Sequence, residues 1–323
     1  MRIGLAYDLR EEYLRRGYGE EETAEFESPE TIDAIDSTLV ALGHGTDRIG
    51  HVEQLVARLA AGDRWDLVFN ITEGFHGFGR EAQVPALLEA FCIPHTFSDS
   101  LVLALGLHKG MTKRIVRDLG IPTPAFTVIE SESELKRVVL SYPLFAKPVA
   151  GGTSIGISGS SKAQTPQELA SVCVRLLEKF RQPVLVESFL PGREMTVGMV
   201  GTGDRARVLG VMEVMLNAAA EPDAYSYANK KYYEARVRYQ LATDAAAESA
   251  AALALSVWRG LGCRDAGRID FRCDAAGVVH FLEINALAGL HPVHSDIVIL
   301  CRLLGIPYRE LIQMIVTSAS ERI

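Results

Sequence analysis

The chain has 323 residues, 48% of them hydrophobic, and is long enough to bury a sizeable core. Its formal net charge of −8 would repel phosphate backbones and anionic membrane surfaces, so we expect no nucleic-acid or membrane partner. We find no apolar run of about 18 residues and no signal-peptide pattern. The five cysteines include no C-x-x-C pair, which indicates buried thiols in a reducing compartment, and we expect a cytoplasmic protein.

The first third of the chain alternates strand-like and helix-like segments. Strands are predicted at residues 2–7 and 65–71, and helices at residues 30–42 and 81–91. Ser28 and Pro29 supply a cap and a first-turn proline for the earlier helix, and Gly43 follows its last apolar residue. This alternation predicts βαβ units around a parallel sheet.

Between the first strand and this helix lies an acidic segment, residues 8–27, which includes Tyr13, Tyr18 and Phe26. The segment is too long for an ordinary strand-to-helix connection. A loop that acts on a substrate and a solvated insertion without a catalytic role both fit this pattern, so its function stays open here.

Two further units follow. The second contains predicted helices at residues 109–119, 132–140 and 166–179 and strands at residues 124–129, 144–147 and 184–187. The third contains strands at residues 195–200 and 207–214, an Ala-rich helix at residues 245–261, a hairpin and a helix at residues 308–319. We therefore expect three domains, residues 1–107, 108–186 and 187–323.

The hairpin, residues 268–285, is the most informative segment. If Asp274 and Gly277 close its turn, position 270 faces 281 and position 268 faces 283. The alternation of each strand then places one set of side chains on one face: Arg268, Asp270, Glu283 and Asn285. The opposite face is expected to hold the apolar set: Ile269, Phe271, Cys273, Val278, Leu282 and Ile284.

An oxygen-only face of this kind suits Mg²⁺, and an adjacent arginine suits the charge on a transferring phosphoryl group. The alternative is a solvated hairpin face with a cross-strand pair between Arg268 and Glu283.

Two other segments have the composition of a nucleotide site. Residues 144–156 form an apolar strand that ends in Lys147, followed by a Gly-rich loop whose N–H groups could bind phosphates. Residues 184–194 run from an apolar strand through Phe189 to Glu194, which could contact an adenine and a ribose. A flexible turn and an interdomain linker are the alternatives. Neither a Walker A loop nor a G-x-G-x-x-G fingerprint occurs.

The order of these segments is that of a known superfamily: Lys109 at a helix start, Lys147 before the Gly-rich loop, Glu187 to Glu194, Arg268-x-Asp270 and Glu283-x-Asn285. In this order the chain resembles the ATP-grasp superfamily, and within it the D-alanine–D-alanine ligase family, over residues 107–315. The resemblance implies an α/β (α+β) fold, with an N-terminal βαβ parallel-sheet domain followed by a two-domain ATP-grasp fold. It also implies a homodimer.

The resemblance implies an enzyme that uses ATP and Mg²⁺, or Mn²⁺ in its place, to convert a carboxylate to an acylphosphate and join it to an amine. The implied ATP-binding residues are Lys109, Lys147, Thr153, Ser154, Glu187, Phe189, Leu190, Glu194 and Lys230. The implied metal ligands are Asp270, Glu283 and Asn285, and the implied catalytic residues are Arg268, Lys230 and Ser154. Gly289 and Ser295 would receive the carboxylate of the second substrate.

The resemblance is weaker in the substrate half. Residues 6–12 stand where the family has Gly-Gly followed by Ser-x-Glu, and residues 70–81 replace its His-Gly-x-x-Gly-Glu-Asp-Gly run. Lys231 replaces a lid tyrosine, Ala286 and Ala288 stand in the family's proline-rich turn, and Ser295 lies one position beyond the usual spacing. These departures favour an amino acid or other carboxylic acid substrate in place of, or in addition to, D-alanine.

The sequence disfavours two other functional classes. An ATP-binding sensor or pseudoenzyme would not need a group aimed at a tetrahedral intermediate, so Arg268 beside the oxygen face argues against it. A metal-dependent hydrolase is disfavoured because no H-E-x-x-H pattern occurs, and His291 and His294 are expected to be loop histidines without a metal role.

Overall fold

The chain forms three β-sheets in turn, and the computed structural model describes all of residues 1–323. The first sheet is parallel, with strand order β2-β1-β3. Its strands are β1 (Arg2–Tyr7), β2 (Gly45–Gly50) and β3 (Leu67–Ile71). The helices of this part are α1 (Arg10–Arg15), α2 (Pro29–Ala41), α3 (Val52–Ala60), α4 (Gln83–Ala90) and α5 (Ser100–Leu107).

The second sheet is antiparallel, with strand order β4-β7-β5-β6. Its strands are β4 (Phe126–Ile129), β5 (Leu144–Pro148), β6 (Lys162–Ala163) and β7 (Val184–Ser188). Helix α6 (Lys109–Asp118) precedes this sheet, and α7 (Pro166–Phe180) packs on it.

The third sheet is also antiparallel, with strand order β10-β9-β8-β11-β12. Its strands are β8 (Glu194–Val200), β9 (Arg207–Leu216), β10 (Val237–Leu241), β11 (Ala266–Cys273) and β12 (Val279–Asn285). The helices of this part are α8 (Tyr227–Lys231), α9 (Tyr233–Arg236), α10 (Ala245–Leu261), α11 (Asp296–Leu303) and α12 (Tyr308–Ser320).

The predicted N-terminal parallel sheet is confirmed, and two antiparallel sheets follow it. The Ser28 side chain caps α2 by accepting a hydrogen bond from the Thr31 N–H, as its position predicted. The predicted helix at residues 132–140 is wrong, because only a 3₁₀ helix, Glu132–Arg137, forms there and none of its side chains is buried. Strand β2 was missed because its sequence, GTDRIG, has one large apolar residue and no alternation.

The hydrophobic core joins the two ends of the chain. One cluster of 45 buried residues extends from Ile3 in β1 through Trp258 in α10 to Ala319 in α12, so the first and third sheets share a core. A separate cluster of 10 buried residues packs between the second sheet and α7. The predicted boundary at residue 186 falls inside β7, and the domain limits remain predictions.

Two expectations drawn from composition can be compared with the structure. All five cysteines are unpaired, and four are buried as predicted, but Cys92 is exposed. No helix combines the length and the apolar character needed to cross a bilayer.

Asp265 links segments from the first and the last parts of the chain. Its side chain is fully buried and accepts hydrogen bonds from the Phe97 N–H at 2.7 Å and the Ser318 hydroxyl at 2.8 Å, and it forms an ion pair with Arg322. It therefore joins the loop before α5, the strand β11 and the helix α12.

We predict that Asp265→Ala lowers the free energy of unfolding by about 3–5 kcal/mol, because it leaves several buried donors and one arginine without their acceptor. Urea unfolding followed by circular dichroism measures the loss. Asp204→Ala, at an exposed position, is the matched control and should change stability by less than about 0.5 kcal/mol. Equal stabilities for the two variants would contradict this role of Asp265.

Candidate functional site

The hairpin of β11 and β12 forms with a different register from the predicted one. Arg268 pairs with Asn285 and Asp270 pairs with Glu283, two positions away from the predicted partners. A shift of two positions keeps every side chain on its face, so the predicted convergence of these four residues on one face is retained.

The turn accounts for one of these two positions, because Cys273 pairs with Val279 and not with Val278. The Asp274 carboxylate accepts hydrogen bonds from the N–H groups of Ala276 and Val278, both at 2.9 Å, and Val278 becomes part of a five-residue loop. The predicted placement of Val278 on the core face is wrong, since this residue is 48% exposed and lies outside the strand.

A β-bulge accounts for the second position. The pairing passes from Asp270 with Glu283 to Phe271 with Phe281, so that Leu282 is the extra residue on β12. Phe281 takes the core position, while Leu282 lines the cleft on the polar face. The predicted placement of Leu282 in the core is therefore wrong.

The oxygen ligands predicted for a metal are adjacent in the structure. Asp270 lies directly opposite Glu283, and the Asn285 carboxamide nitrogen is 3.3 Å from Asp270 Oδ2. Thr196 on β8 donates a hydrogen bond to Asp270 Oδ1 at 2.8 Å and orients this carboxylate. No three His, Cys, Asp or Glu side chains converge as a metal-binding group. The set is two carboxylates and one carboxamide, whose oxygens fit a hard divalent cation.

Arg268 lies between two carboxylates on this face. Its guanidinium forms an ion pair with Asp270, and its Nε is 3.5 Å from Asp296 Oδ2 at the start of α11. Lys230 of α8 reaches the same Asp296 oxygen at 3.0 Å. Burial raises the pKa of Asp296, but Lys230 and Arg268 outweigh burial and hold it below its ordinary value.

Three lysines lie deep in the same region and share two carboxylates. Lys109, at the first turn of α6, is 3.4 Å from Glu283 Oε2 and donates a hydrogen bond to the Gly151 carbonyl at 2.5 Å. Lys147, at the end of β5, and Lys113, one turn after Lys109, each lie 2.8 Å from one oxygen of the buried Glu187. Burial raises the pKa of Glu187, but the two ammonium groups outweigh it and lower the pKa.

These charged groups surround a narrow cleft of about 80 Å³ between the second and third sheets. Two segments cover it. The Ser154 hydroxyl of the Gly-rich loop donates a hydrogen bond to the Tyr225 carbonyl at 2.7 Å, and the Tyr227 N–H donates to the Ile157 carbonyl at 3.2 Å. Thr153 and Ser154 have φ angles of 48° and 56°, a conformation that side chains with a Cβ rarely adopt.

One end of the cleft is lined by aromatic and apolar groups. Phe189 stacks near Phe145, with ring centroids 6.4 Å apart, and the Lys162 ammonium lies 4.3 Å from the Phe189 ring centroid. Arg272 approaches the same ring and lies 3.3 Å from a carboxylate oxygen of Glu194. Burial raises the pKa of Glu194, although Arg272 lowers it.

A second, larger cavity of about 940 Å³ adjoins the cleft and shares five lining residues with it: Thr153, Tyr225, Lys230, Arg268 and Glu283. One part of its wall is acidic. Arg80 lies within 2.9 Å of both oxygens of Glu25, 3.4 Å from Glu73 and 3.8 Å from Glu81. Three carboxylates thus share one guanidinium, and this wall has a net charge of −2 when all are ionised.

The acidic segment of residues 8–27 contributes to this wall. Glu25 accepts a hydrogen bond from the Gly152 N–H at 2.5 Å and so connects the segment to the Gly-rich loop. Tyr13 and Phe26 are buried, and Arg10, Glu11 and Glu20 line the large cavity. The segment is therefore packed against the cavity, and its role in catalysis remains a prediction.

The predicted second-substrate residues, Gly289 and Ser295, also line the large cavity. Ser295 Oγ accepts a hydrogen bond from the His291 N–H at 2.8 Å. A Cβ at Gly289 would lie 3.0 Å from this oxygen, so glycine keeps the space beside it open. His291 and His294 lie near Glu30 and Tyr233, respectively, in this part of the cavity wall.

Every predicted site residue lines one of the two cavities, although the roles assigned to these residues remain predictions. Sequence reasoning missed Lys113, Thr196 and Asp296. Lys113 follows Lys109 by four residues on α6, and a helical face that repeats lysine toward a buried strand could have revealed it. Thr196 and Asp296 carried no such signal, because their partners are distant along the chain.

Comparison with known proteins gives consistent results. Residues 115–317 match the family described as D-ala D-ala ligase C-terminus. The D-alanine--D-alanine ligase of Bordetella avium is 34% identical over 275 residues, which cover 83% of this chain and 82% of that protein. The D-alanine--D-alanine ligase of Aquifex aeolicus is 30% identical over 292 residues, covering 90% of this chain and 94% of that protein.

Two solved structures share the fold. The D-alanine--D-alanine ligase of Bacillus anthracis complexed with ATP superposes with a TM-score of 0.74 at 20% identity, over 100% of this chain and 98% of that chain. The VanG D-Ala:D-Ser ligase of Enterococcus faecalis superposes with a TM-score of 0.74 at 20% identity, over 98% of this chain and 99% of that chain. The predicted fold class is confirmed.

The acidic wall makes stability depend on pH. Burial raises the pKa of Glu81 from 4.5 to about 7, against the lowering effect of Arg80. The folded state then holds the proton more tightly than the unfolded chain, so the stability linked to this proton is present below pH 4.5 and is lost as the pH rises through 7.

We predict that raising the pH from 4 to 8 lowers the unfolding free energy of the wild type by about 2–3 kcal/mol more than that of Glu81→Gln, because the amide never ionises. Urea unfolding at both pH values measures the difference. Glu130→Gln, at an exposed position, should show no such change with pH. A difference between Glu81→Gln and the wild type that stays constant with pH would be inconsistent with a buried, protonated Glu81.

Proposed function

Because the chain belongs to the D-alanine–D-alanine ligase family, we propose that it joins two amino acids, at least one of which differs from D-alanine. The protein is an ATP-dependent carboxylate–amine ligase that forms a C–N bond. The identity of the substrates and the roles of single residues are the proposed parts.

One feature of the structure supports this proposal most directly. An oxygen-only face, an arginine and several buried lysines meet where the narrow cleft joins the large cavity. Phosphoryl transfer needs positioning and cations around the transferred group more than it needs a covalent nucleophile. The junction of the two cavities is a place where a nucleotide in the cleft and a carboxylate in the cavity would meet.

Lys109, Lys147 and Lys230 are proposed to bind the phosphates of ATP. All three ammonium groups are within 3.4 Å of a carboxylate in this structure, so phosphate oxygens would compete with these carboxylates for them. The cleft of about 80 Å³ is smaller than the roughly 300–1,000 Å³ of typical ligand pockets. We infer that the Gly-rich loop and the α8 segment move apart to admit ATP.

Asp270, Glu283 and Asn285 are proposed to hold the divalent cation, Mg²⁺ or Mn²⁺ in its place, because all the donors are oxygens and both cations accept oxygen ligands. Bound there, the cation would neutralise the charge of the phosphate oxygens. Lys109, Lys147 and Arg268 outweigh the effect of burial and lower the pKa of Glu283 to about 2, which keeps this carboxylate ionised and ready to act as a ligand.

Arg268 is proposed to stabilise the negative charge that develops on the substrate. The acylphosphate formed from the first carboxylate would be attacked by the amine of the second substrate, which gives an amide and phosphate. The paired carboxylates of Asp270 and Asp296 hold the guanidinium in one orientation, and such fixed donors favour the transition state. Ser154 is proposed to act from the loop that covers this point.

The acidic wall supports an amino acid as the first substrate. Burial raises the pKa of Glu73 and Glu81, so a substrate ammonium placed beside the three carboxylates would favour their ionised forms and be bound in return. The residues 70–81 that carry part of this wall are those that depart from the family pattern. The cavity of about 940 Å³ also leaves room for substrates larger than two alanines, which supports a different or additional amino acid.

Gly289 and Ser295 are proposed to receive the carboxylate of the second substrate, because a small residue and a hydroxyl leave an open, polar site there. A homodimer is proposed from the family resemblance. A cytoplasmic location is proposed because ATP, the phosphoryl donor, is abundant there.

The experiment that tests the function measures ADP and phosphate release from MgATP with a panel of D- and L-amino acids, singly and in pairs, with mass spectrometry of the products. We expect release that requires an amino acid pair and yields a conjugate lighter than the pair by one water. Release with D-alanine alone among the panel would overturn the proposed substrate difference. ATP binding without stimulated release by any pair would favour the nucleotide-binding sensor.

We predict that Glu283→Gln lowers turnover by about two orders of magnitude or more, because one charged metal ligand is lost. Melting temperature and nucleotide binding distinguish loss of chemistry from loss of fold. Glu132→Gln, at an exposed position, is the matched control and should keep full turnover. Wild-type ADP release by Glu283→Gln would refute the metal assignment.

A further inference from the structure

Lys113 is the most deeply buried charged group near the cleft, and none of the roles above uses it. Its side chain is completely buried on α6. The ammonium lies 2.8 Å from Glu187 Oε2, donates a hydrogen bond to the Thr123 hydroxyl at 2.8 Å, and lies 3.4 Å from the Phe281 carbonyl. It does not line either cavity, so it has no route to a ligand.

Glu187 divides its charge between two lysines. Its Oε1 is 2.8 Å from Lys147, which lines the cleft, and its Oε2 is 2.8 Å from Lys113, which does not. The group of Lys113, Glu187 and Lys147 therefore has a net charge of +1. Without Lys113 the group would be a neutral pair, and a buried carboxylate would hold Lys147 alone.

The net charge of this group affects how strongly Lys147 can attract a triphosphate. Lys147 faces the cleft, but a lysine that neutralises a buried carboxylate by itself has little charge left for phosphate oxygens. Lys113 supplies the second positive charge from the side away from the cleft. Burial lowers the pKa of Lys113 to about 8, whereas Glu187 raises it, so the ammonium form depends on its contact with this carboxylate.

We propose that Lys113 is a positioning residue that acts through Glu187: by neutralising this carboxylate from behind, it leaves Lys147 available for the phosphates of the nucleotide. This inference rests on the proposed function for its nucleotide. It concerns the affinity for ATP and not the identity of the amino acids.

The test compares ATP affinity, measured by calorimetry without amino acid substrates, in the wild type and four variants. Lys113→Met should weaken ATP binding about tenfold, the effect of one lost charge-assisted contact. Glu187→Gln alone is the reference for any nucleotide contact that Glu187 makes itself. Adding Lys113→Met to Glu187→Gln should change the affinity by less than about threefold, since no carboxylate then holds Lys147. Lys113→Arg should keep most of the affinity, because it retains the charge.

The double variant separates this role from a structural one. Lys113→Met removes the hydrogen bond to Thr123 and the contact with Phe281 in both backgrounds, so a loss of affinity seen only when Glu187 is present comes from the charge of Glu187. Melting temperatures report folding of each variant. If Lys113→Met does not fold, Lys113→Gln with and without Glu187→Gln replaces it, because glutamine keeps a hydrogen-bond donor without the charge.

Two outcomes would overturn the inference: unchanged ATP affinity in folded Lys113→Met, or a Lys113→Met substitution that weakens ATP binding as much in the Glu187→Gln background as in the wild type. Failure of the proposed function is seen separately. If the wild type binds ATP but no amino acid pair stimulates ADP release, the ligase substrates are wrongly assigned while the affinities still decide the role of Lys113.

Discussion

A charge that is taken out of water must be paired, and this constraint organises the centre of the protein. Lys113, Glu187 and Lys147 form one buried group, and Lys230, Asp296 and Arg268 form another. Each group joins elements that are far apart along the chain, namely α6 with two strands of the second sheet, and α8 with α11 and β11. The groups that are suited to phosphates therefore also fix α6 to the second sheet, and α8 and α11 to the third sheet.

The same pairing explains how a closed cleft can open. The carboxylates that occupy the lysines in this structure can be replaced by phosphate oxygens, because both are anionic acceptors with similar hydrogen-bond geometry. The two segments that cover the cleft are linked to each other by the hydrogen bonds from Ser154 to the Tyr225 carbonyl and from Tyr227 to the Ile157 carbonyl. Two loop residues with positive φ angles make this cover a costly conformation, which fits a segment that moves.

The faces of the β11–β12 hairpin were predicted from the sequence, but its register was not. The side-chain period of two placed Arg268, Asp270, Glu283 and Asn285 on one face, and this placement survived a register that differed by two positions. The side-chain hydrogen bonds of Asp274 and the bulge at Leu282 were not predictable, because both depend on how the turn packs. The capped helix α2 and the Ala-rich helix α10 were predicted closely, whereas the polar strand β2 was missed.

The sequence by itself determined the class of fold, the order of the nucleotide-binding segments and the residues of the oxygen face, because these depend on local periodicity and on motifs of adjacent residues. Only the tertiary structure decided which charges are paired. Lys113 with Glu187, Thr196 with Asp270 and Asp296 with Arg268 are separated by dozens of residues along the chain. Such contacts arise from the packing of three sheets and have no local pattern to reveal them.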